Sequence, residues 1–225
     1  LDELLPLLQD RQIALVEDCA EAVGSYFGGQ HVGHVGEAAT FSFFGNKTLT
    51  TGEGGMLTMA DSENSRRARL IRNQGMSETR KYWHEIPGDN FRMTNLQGAL
   101  GCAQVARANE LISKKIQIGE WYHKHLSTAL RSSGPQTVRH GQSGKWLVPV
   151  LLKEVDASTR DRVIRELLAR GVETRPTFLP LSDMPAFKEF RASRNLRNSR
   201  DIGSRGICLP STPRMGEEDV IRVVA

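Results

Sequence analysis

The apolar runs along the chain predict strands that alternate with helices. Residues 13–16 are all apolar, which is typical of a parallel strand covered on both faces, and the run ends at Glu17 and Asp18. A second apolar run at 38–44 and a third at 56–59 predict two further strands. Open α/β sheets bind ligands at the carboxyl ends of their strands, so the two carboxylates are candidate site residues.

Capping residues predict where two helices begin. Asp61 predicts the N-cap of a helix that runs through Ile71 and ends near Gly75. Thr94 or Asn95 predicts the start of a longer helical region. Apolar and small residues recur in that region at helical spacing and predict a closely packed face: Leu96, Ala99, Leu100 and Ala103.

The chain after residue 108 predicts a smaller α/β module. Its predicted parts are a loop at 131–145, a strand at 146–152, a helix at 160–170, a proline-rich segment at 176–185 and a final helix from about Glu217. At the other end, residues 1–8 have the pattern of the end of an amphipathic helix that leads directly into the first strand. We therefore expect the chain to begin in mid-fold.

Composition and charge exclude several classes of protein. The 225 residues are 39% hydrophobic and 25% charged, as in ordinary globular domains. The net charge is +4, but the basic residues are scattered among acids, which argues against a nucleic-acid partner. No apolar run approaches the roughly 20 residues that span a bilayer. The spacing of Cys19, Cys102 and Cys208 predicts buried thiols in a reducing cytoplasm and no metal site.

Lys47 is the residue best placed for covalent chemistry. It follows a predicted buried strand and lies among hydroxyl residues and glycines in the segment FSFFGNKTLTTGEGG at 41–55. A lysine that attacks an aldehyde must first lose its proton, and partial burial favours this loss. The hydroxyls of Ser42, Thr48, Thr50 and Thr51 are candidate donors to a phosphate.

Two other interpretations of Lys47 are available. It can be an exposed lysine of a surface loop, as most lysines are. It can also belong to a phosphate-binding P-loop, because GNKT resembles the end of that motif. The P-loop interpretation fails on spacing, since Asn46 separates Gly45 from Lys47 and no helix-forming run follows Thr48.

Four segments together resemble the DegT/DnrJ/EryC1/StrS family of sugar aminotransferases. They are VEDCAEAVGSYFGG at 16–29, FSFFGNKTLTTGEGGMLT at 41–58, RNQGM with KYWH at 72–76 and 81–84, and GDNFRMTNLQGALG at 88–101. The resemblance implies an α/β, aminotransferase-like fold, namely fold type I of the pyridoxal-phosphate enzymes. Residues 1–108 would be the C-terminal portion of the cofactor-binding large domain, with a mainly parallel sheet. Residues 109–225 would be the small C-terminal α/β domain.

The resemblance also implies roles for individual residues. Lys47 matches the lysine that forms a Schiff base with pyridoxal 5'-phosphate, and Asp18 matches the carboxylate that pairs with the pyridine nitrogen of the cofactor. Glu21 matches a residue near the ring and its 3-hydroxyl. Ser42 matches a serine that binds the phosphate, and Asn90 matches an asparagine that reaches the phosphate of the neighbouring subunit.

Two further residues of the same motifs, Asn46 and Arg92, are candidates to line the pocket for the sugar or the amino donor. The shared phosphate contact implies a homodimer with shared active sites. The chain departs from the family pattern at four places: Glu21 where glutamine is commoner, Cys19 where alanine is usual, Asp89 where an aromatic residue is usual, and Ser182 where histidine is common.

The implied activity is amino transfer to the 4-keto group of a nucleotide-linked 4-keto-6-deoxyhexose. The expected amino donor is L-glutamate, and the expected setting is cytoplasmic synthesis of O-antigen or another surface polysaccharide, without a membrane partner. One alternative is a sugar dehydratase that uses the same cofactor, although such relatives replace the cofactor lysine with histidine. Another is a non-catalytic or regulatory homologue, since part of the large domain is expected to be missing.

Overall fold

The computed structural model describes residues 1–126, 140–190 and 195–225. The helices are α1 (Leu4–Asp10), α2 (Ser62–Arg72), α3 (Asn95–Ala106), α4 (Ala108–His125), α5 (Ala157–Ala169), α6 (Arg197–Arg205) and α7 (Glu217–Val224). The strands are β1 (Val16–Asp18), β2 (Tyr26–Phe27), β3 (Gln30–His31), β4 (Ala38–Ser42), β5 (Gly55–Met59), β6 (Gly141–Gln142), β7 (Val148–Leu151), β8 (Arg175–Pro176) and β9 (Gly206–Leu209). Two 3-10 segments, Leu181–Asp183 and Pro185–Phe190, occupy the proline-rich segment.

The described chain forms two compact units. The first contains residues 1–112 and 140–144, and the second contains residues 113–126, 145–190 and 195–225. The predicted division between residues 108 and 109 stays a prediction. The predicted loop at 131–145 lies largely outside the described residues.

The first unit is built on two small sheets. One has the strand order β1-β4-β5, with β1 parallel to β4 and β4 antiparallel to β5. The other has the order β3-β2-β6. The prediction of an α/β fold is confirmed. The sheet that precedes Lys47 was predicted to be mainly parallel, but it is mixed. The reason is that residues 43–54 form a loop without a helix, and only a longer crossover returns the chain in the parallel direction.

Strand β1 begins later than the apolar run predicts. The backbone N–H of Ile13 donates to the carbonyl of Leu8 at 2.9 Å and so closes the end of α1. Pairing with β4 starts only at Val16, which faces Ala38. The expected cover on both faces is also wrong for the described chain, because Ile13 and Val16 are exposed.

Helix α3 contradicts the prediction that its apolar residues pack closely. Its residues Leu96 and Leu100 are 84% and 45% exposed, and no residue of the helix is buried. The predicted buried thiol of Cys102 is exposed on the same helix, while Cys19 and Cys208 are buried as predicted. The inward face of α3 consists of glycine and glutamine residues instead.

The second unit has a compact core around α4. Its sheet has the order β7-β9-β8, with antiparallel pairing throughout. The fully buried side chains Ile118, Tyr122 and Val220 lie at the centre of the core. The Tyr122 hydroxyl donates to the Pro210 carbonyl at 2.7 Å. The buried Lys115 of α4 donates to the carbonyl and the hydroxyl of Ser211, both at 2.7 Å.

The predicted helix caps are largely confirmed. The Asp61 carboxylate accepts the Asn64 N–H at 2.7 Å, and Thr94 forms a capping box with Gln97. The predicted helix at 160–170 begins earlier, because Asp156 caps it by accepting the Thr159 N–H at 2.8 Å. In the three described stretches, none of the helices is long and apolar enough to cross a membrane.

Candidate functional site

The adjacent strands β1 and β4 bring Asp18 and Ser42 to the same edge of their sheet. Asp18 faces Thr40 across the parallel pair, and Ser42 follows two residues later at the end of β4. The Asp18 carboxylate accepts hydrogen bonds from the Thr40 hydroxyl at 3.2 Å and from the Ala20 N–H at 3.1 Å. Asp18 therefore has a defined orientation while it remains exposed.

Glu17, the other predicted carboxylate, has a structural role. It accepts backbone N–H groups of Gly33, Val35 and Gly36 at 2.8, 2.8 and 2.7 Å. Burial raises the pKa of Glu17, but the three hydrogen bonds together outweigh burial, so that the pKa lies below its ordinary value. Successive strand residues point to opposite faces of a sheet. The Glu17 side chain therefore binds the loop at 33–36, while the Asp18 side chain lies on the other face at the end of β1.

The loop that carries Lys47 is closed by backbone hydrogen bonds. The N–H of Phe43 donates to the Gly54 carbonyl at 2.8 Å, and the Phe43 carbonyl accepts the Thr51 N–H at 2.9 Å. The Lys47 N–H donates to the Phe44 carbonyl at 3.0 Å, which forms a turn directly before the lysine side chain. The backbone of this loop is therefore well defined on both sides of Lys47.

Lys47 itself is mostly buried and forms an ion pair. Its side chain is 10% exposed, and its Nζ donates to the carboxylate of Glu21, whose side chain is 51% exposed. Thr48, Leu49 and Thr51 beside it are buried. The interpretation of Lys47 as an exposed surface lysine is therefore wrong. The structure brings Lys47 and Glu21 together although 26 positions separate them in the sequence.

Three of the four candidate hydroxyl residues, Ser42, Thr50 and Thr51, differ in their hydrogen bonds. Thr50 and Thr51 donate to the backbone carbonyls of Phe43 and Glu53 at 3.1 and 2.7 Å, so they shape the loop and are not the expected phosphate donors. The Ser42 hydroxyl accepts a 3.3 Å hydrogen bond from a backbone N–H and keeps its own O–H to donate. Ser42 is therefore the hydroxyl best placed to bind a ligand at the strand end.

Helix α3 holds the loop through side chains that the sequence did not mark as functional. The Gln97 amide donates to the Glu53 carbonyl at 3.0 Å, and the Gln104 side-chain oxygen accepts the Thr50 N–H at 3.3 Å. A Cβ on Gly101 would lie 3.1 Å from the methyl carbon of Thr51. The sequence signal that could have indicated this contact is the helical spacing of Gln97, Gly101 and Gln104, which places them on one face of α3.

The remaining predicted site residues, all in the first unit, are Asn46, Asn90 and Arg92. The Asn90 side-chain oxygen accepts hydrogen bonds from the backbone N and the Nε of Arg92 at 3.4 and 3.3 Å. Asn46 is exposed at the tip of the loop. The structure thus joins Asn90 to Arg92, while the Lys47 amine is joined to Glu21.

Comparison with known proteins defines the class of this chain. The model of the DegT/DnrJ/EryC1/StrS aminotransferase family matches residues 1–225, so the chain belongs to that family. It is 39% identical to a GDP-perosamine synthase of Caulobacter vibrioides over 226 residues, which cover 100% of this chain and 61% of the relative. The chain therefore spans about three fifths of the length of that relative.

Two solved structures have the same fold. DesV from S. venezuelae aligns with a TM-score of 0.87 and 26% identity, over 99% of this chain and 59% of that chain. Spr1654 from Streptococcus pneumoniae, solved in its PLP form, aligns with a TM-score of 0.84 and 23% identity, over 94% of this chain and 56% of that chain. These alignments support the prediction of an aminotransferase-like fold.

The side chains present fit pyridoxal phosphate. The cofactor needs an amine for its aldehyde, a carboxylate for its ring nitrogen and donors for its phosphate. Lys47 offers a mostly buried amine, Asp18 an oriented carboxylate, and Ser42 a hydroxyl on the strand beside β1. These three groups belong to one sheet and the loop that follows it.

Proposed function

We propose that the protein is a pyridoxal-phosphate-dependent aminotransferase that acts on a nucleotide-linked sugar. The observation that carries the proposal is the mostly buried Lys47, paired with Glu21 and preceded by the strand ends that carry Asp18 and Ser42. A surface lysine has no need of such an enclosed position, whereas a lysine that attacks an aldehyde does. Membership of the family supports the same conclusion.

The proposed roles follow from the chemistry of each side chain. When bound, pyridoxal phosphate supplies an aldehyde that takes up an amino group and a ring that accepts electrons. Lys47 would hold the cofactor and then move a proton at the carbon that bears the donor nitrogen. Asp18 would pair with the ring nitrogen, Glu21 would lie near the ring, and Ser42 would donate to the phosphate.

The proposed substrate is a 4-keto-6-deoxyhexose linked to GDP, with L-glutamate as the amino donor. The product would be GDP-perosamine or a close relative, an activated sugar for O-antigen or another surface polysaccharide made in the cytoplasm. The GDP-perosamine synthase of Caulobacter vibrioides supports this choice by its identity over the whole chain. Asn46 and Arg92, both exposed, would contact the sugar or the donor.

We further propose that the protein acts as a homodimer with shared active sites. The outward face of α3 supports this, because Leu96 and Leu100 are exposed there, 84% and 45% respectively. Exposed apolar patches of this kind are typical of interfaces between protein chains. Asn90 would reach the cofactor phosphate of the partner, which accounts for its exposed position.

Two alternatives are less well supported. A sugar dehydratase of this family would carry histidine at the position of Lys47. A non-catalytic homologue has no requirement to retain a lysine, a strand-end carboxylate and a hydroxyl in one site. Both alternatives differ from the proposal in a property that can be measured, namely whether Lys47 binds the cofactor covalently.

The test uses the protein expressed from its complete gene and purified with added pyridoxal phosphate. We expect a visible absorbance band from lysine-bound cofactor, which L-glutamate converts to the spectrum of the pyridoxamine form. Lys47→Ala should abolish the band. Lys153→Ala is the matched control, because the Lys153 side chain is 74% exposed and belongs to the second unit.

The substrate is tested in the same preparation by mass spectrometry. Supply of GDP-linked 4-keto-6-deoxyhexose to the glutamate-treated protein should yield an amino sugar and restore the original spectrum. UDP-linked and dTDP-linked keto sugars serve as comparisons for the nucleotide. If Lys47→Ala keeps the wild-type band, or glutamate leaves the wild-type band unchanged, the proposed function is refuted.

A further inference from the structure

The ion pair between Lys47 and Glu21 connects two distant segments of the first unit. Glu21 lies in the turn after β1, where the Ala22 N–H donates to the Cys19 carbonyl at 3.0 Å. Lys47 lies in the loop between β4 and β5. The backbone of each segment is fixed by its own hydrogen bonds, so the meeting of the two side chains is a property of the fold.

The Nζ of Lys47 cannot form the ion pair with Glu21 and bond an aldehyde carbon at the same time without a change in its protonation. Bonding to an aldehyde carbon requires that Nζ first lose one proton, after which its other two protons leave with the aldehyde oxygen as water. The Glu21 carboxylate already holds the Nζ of Lys47 in an ion pair. Each approach of an aldehyde to Nζ therefore competes with this ion pair.

We infer that Glu21 controls how readily Lys47 bonds its cofactor, by competing as an ion pair for the amine. This inference rests on the proposed function, because it takes Lys47 to be the residue that bonds the aldehyde. Glu21 is then a positioning residue that acts through Lys47. A glutamine at this position would keep the shape and a hydrogen-bond acceptor but would remove the charge.

The exposure of the two side chains sets the size of the effect. Lys47 is 10% exposed and has little water to replace its partner, while Glu21 is 51% exposed and is screened by solvent. Pairs with one partner in solvent are weak, so Glu21→Gln should speed bonding at Lys47 by about two- to fivefold at low salt. A fully buried pair would give a much larger change.

The probe for this experiment is pyridoxal, which lacks the phosphate, so added salt mainly affects the protein's own charges. The complete protein and its variants are mixed with pyridoxal, reduced with borohydride at set times, and digested. The amount of adduct on the peptide that contains Lys47 is then measured by mass spectrometry. This readout does not require transaminase activity.

Three variants define the outcome. We expect Glu21→Gln to form the adduct faster than wild type at low salt, and the difference to become smaller in 1 M salt, because added ions screen the half-exposed Glu21 carboxylate. Glu21→Asp, which keeps the charge, should retain the salt response. Glu37→Gln is the matched control at the other end of β4 and should behave as wild type.

Several results would overturn the inference. It is wrong if Glu21→Gln forms adduct at the wild-type rate or more slowly, or if its rate differs by the same factor at all salt concentrations. Circular dichroism checks that the variants are folded, and Glu21→Ala must change the rate in the same direction. Failure of the proposed function is distinct: an adduct at Lys47 that responds to Glu21, without conversion by glutamate, leaves this inference standing. No adduct at Lys47 in wild type refutes both.

Discussion

The buried Lys115 of α4 allows a quantitative prediction about stability and pH. Lys115 is 5% exposed, and its Nζ donates to the carbonyl and hydroxyl of Ser211. Burial lowers the pKa of Lys115 from its ordinary value of 10.5 to about 8. At about 1.4 kcal/mol per pKa unit, this difference corresponds to about 3 kcal/mol between the two protonation states.

The direction of the effect follows from proton binding. Between pH 8 and 10.5 the unfolded chain still holds the proton on Lys115, whereas the folded chain has released it. Stability rises with pH wherever the unfolded state binds more protons. The free energy of unfolding should therefore gain about 3 kcal/mol from Lys115 across this range, of which about 2.5 kcal/mol is reached by pH 10. Below pH 8 both states are protonated and Lys115 adds no pH dependence.

The assay is urea unfolding of wild type and Lys115→Met, followed by circular dichroism from pH 7 to 10. Methionine keeps the length of the apolar stem but has no charge. The difference in unfolding free energy between the two proteins should change by about 2.5 kcal/mol in favour of wild type as the pH rises. The exposed Lys153 provides the control Lys153→Met. Parallel curves for wild type and Lys115→Met would refute the reasoning.

Two further predictions concern the first unit. Gly75 has a φ of +68°, and an added Cβ would overlap the Ile86 carbonyl oxygen, so Gly75→Ala should cost about 3 kcal/mol or more in urea unfolding. Gly29→Ala, with a φ of +80° and open space around the added carbon, should cost only the backbone strain of about 1–2 kcal/mol, and equal losses would contradict this account. Leu96→Lys should weaken the proposed dimer by roughly a hundredfold in analytical ultracentrifugation, since each copy loses the burial of one leucine. Asn64→Lys on α2 is its control, and an unchanged sedimentation profile for Leu96→Lys would contradict the proposed interface.

Local signals explain what the sequence could predict. The caps at Asp61 and Thr94 were correct because a capping side chain binds N–H groups two or three positions away. Lys47 was identified from its own segment and the resemblance. The sequence pattern could not predict that Glu17 has a structural role while Asp18 stays exposed. This difference depends on backbone N–H groups of the loop at 33–36, which bind the Glu17 carboxylate.

The apolar face of α3 shows a different limit. Helical spacing correctly indicated that Leu96 and Leu100 share a face, but periodicity cannot say which surface covers that face. In the described chain a neighbouring face of α3, with Gln97 and Gln104, contacts the loop of Lys47. The ion pair with Glu21 was equally hidden, because no local rule connects side chains from separate segments.

The loop between β4 and β5 separates two kinds of residue, and this has an evolutionary consequence. Phe44, Gly45 and Asn46 are exposed at its tip, while Thr48 and Leu49 directly after Lys47 are buried. Side-chain substitutions at the exposed Phe44 should disturb the packing around Lys47 less than substitutions at the buried Thr48 or Leu49. Natural selection can therefore alter what the tip contacts while the Lys47 amine stays in place. Such a division allows the exposed surface of the loop to diversify through few substitutions and with little loss of stability.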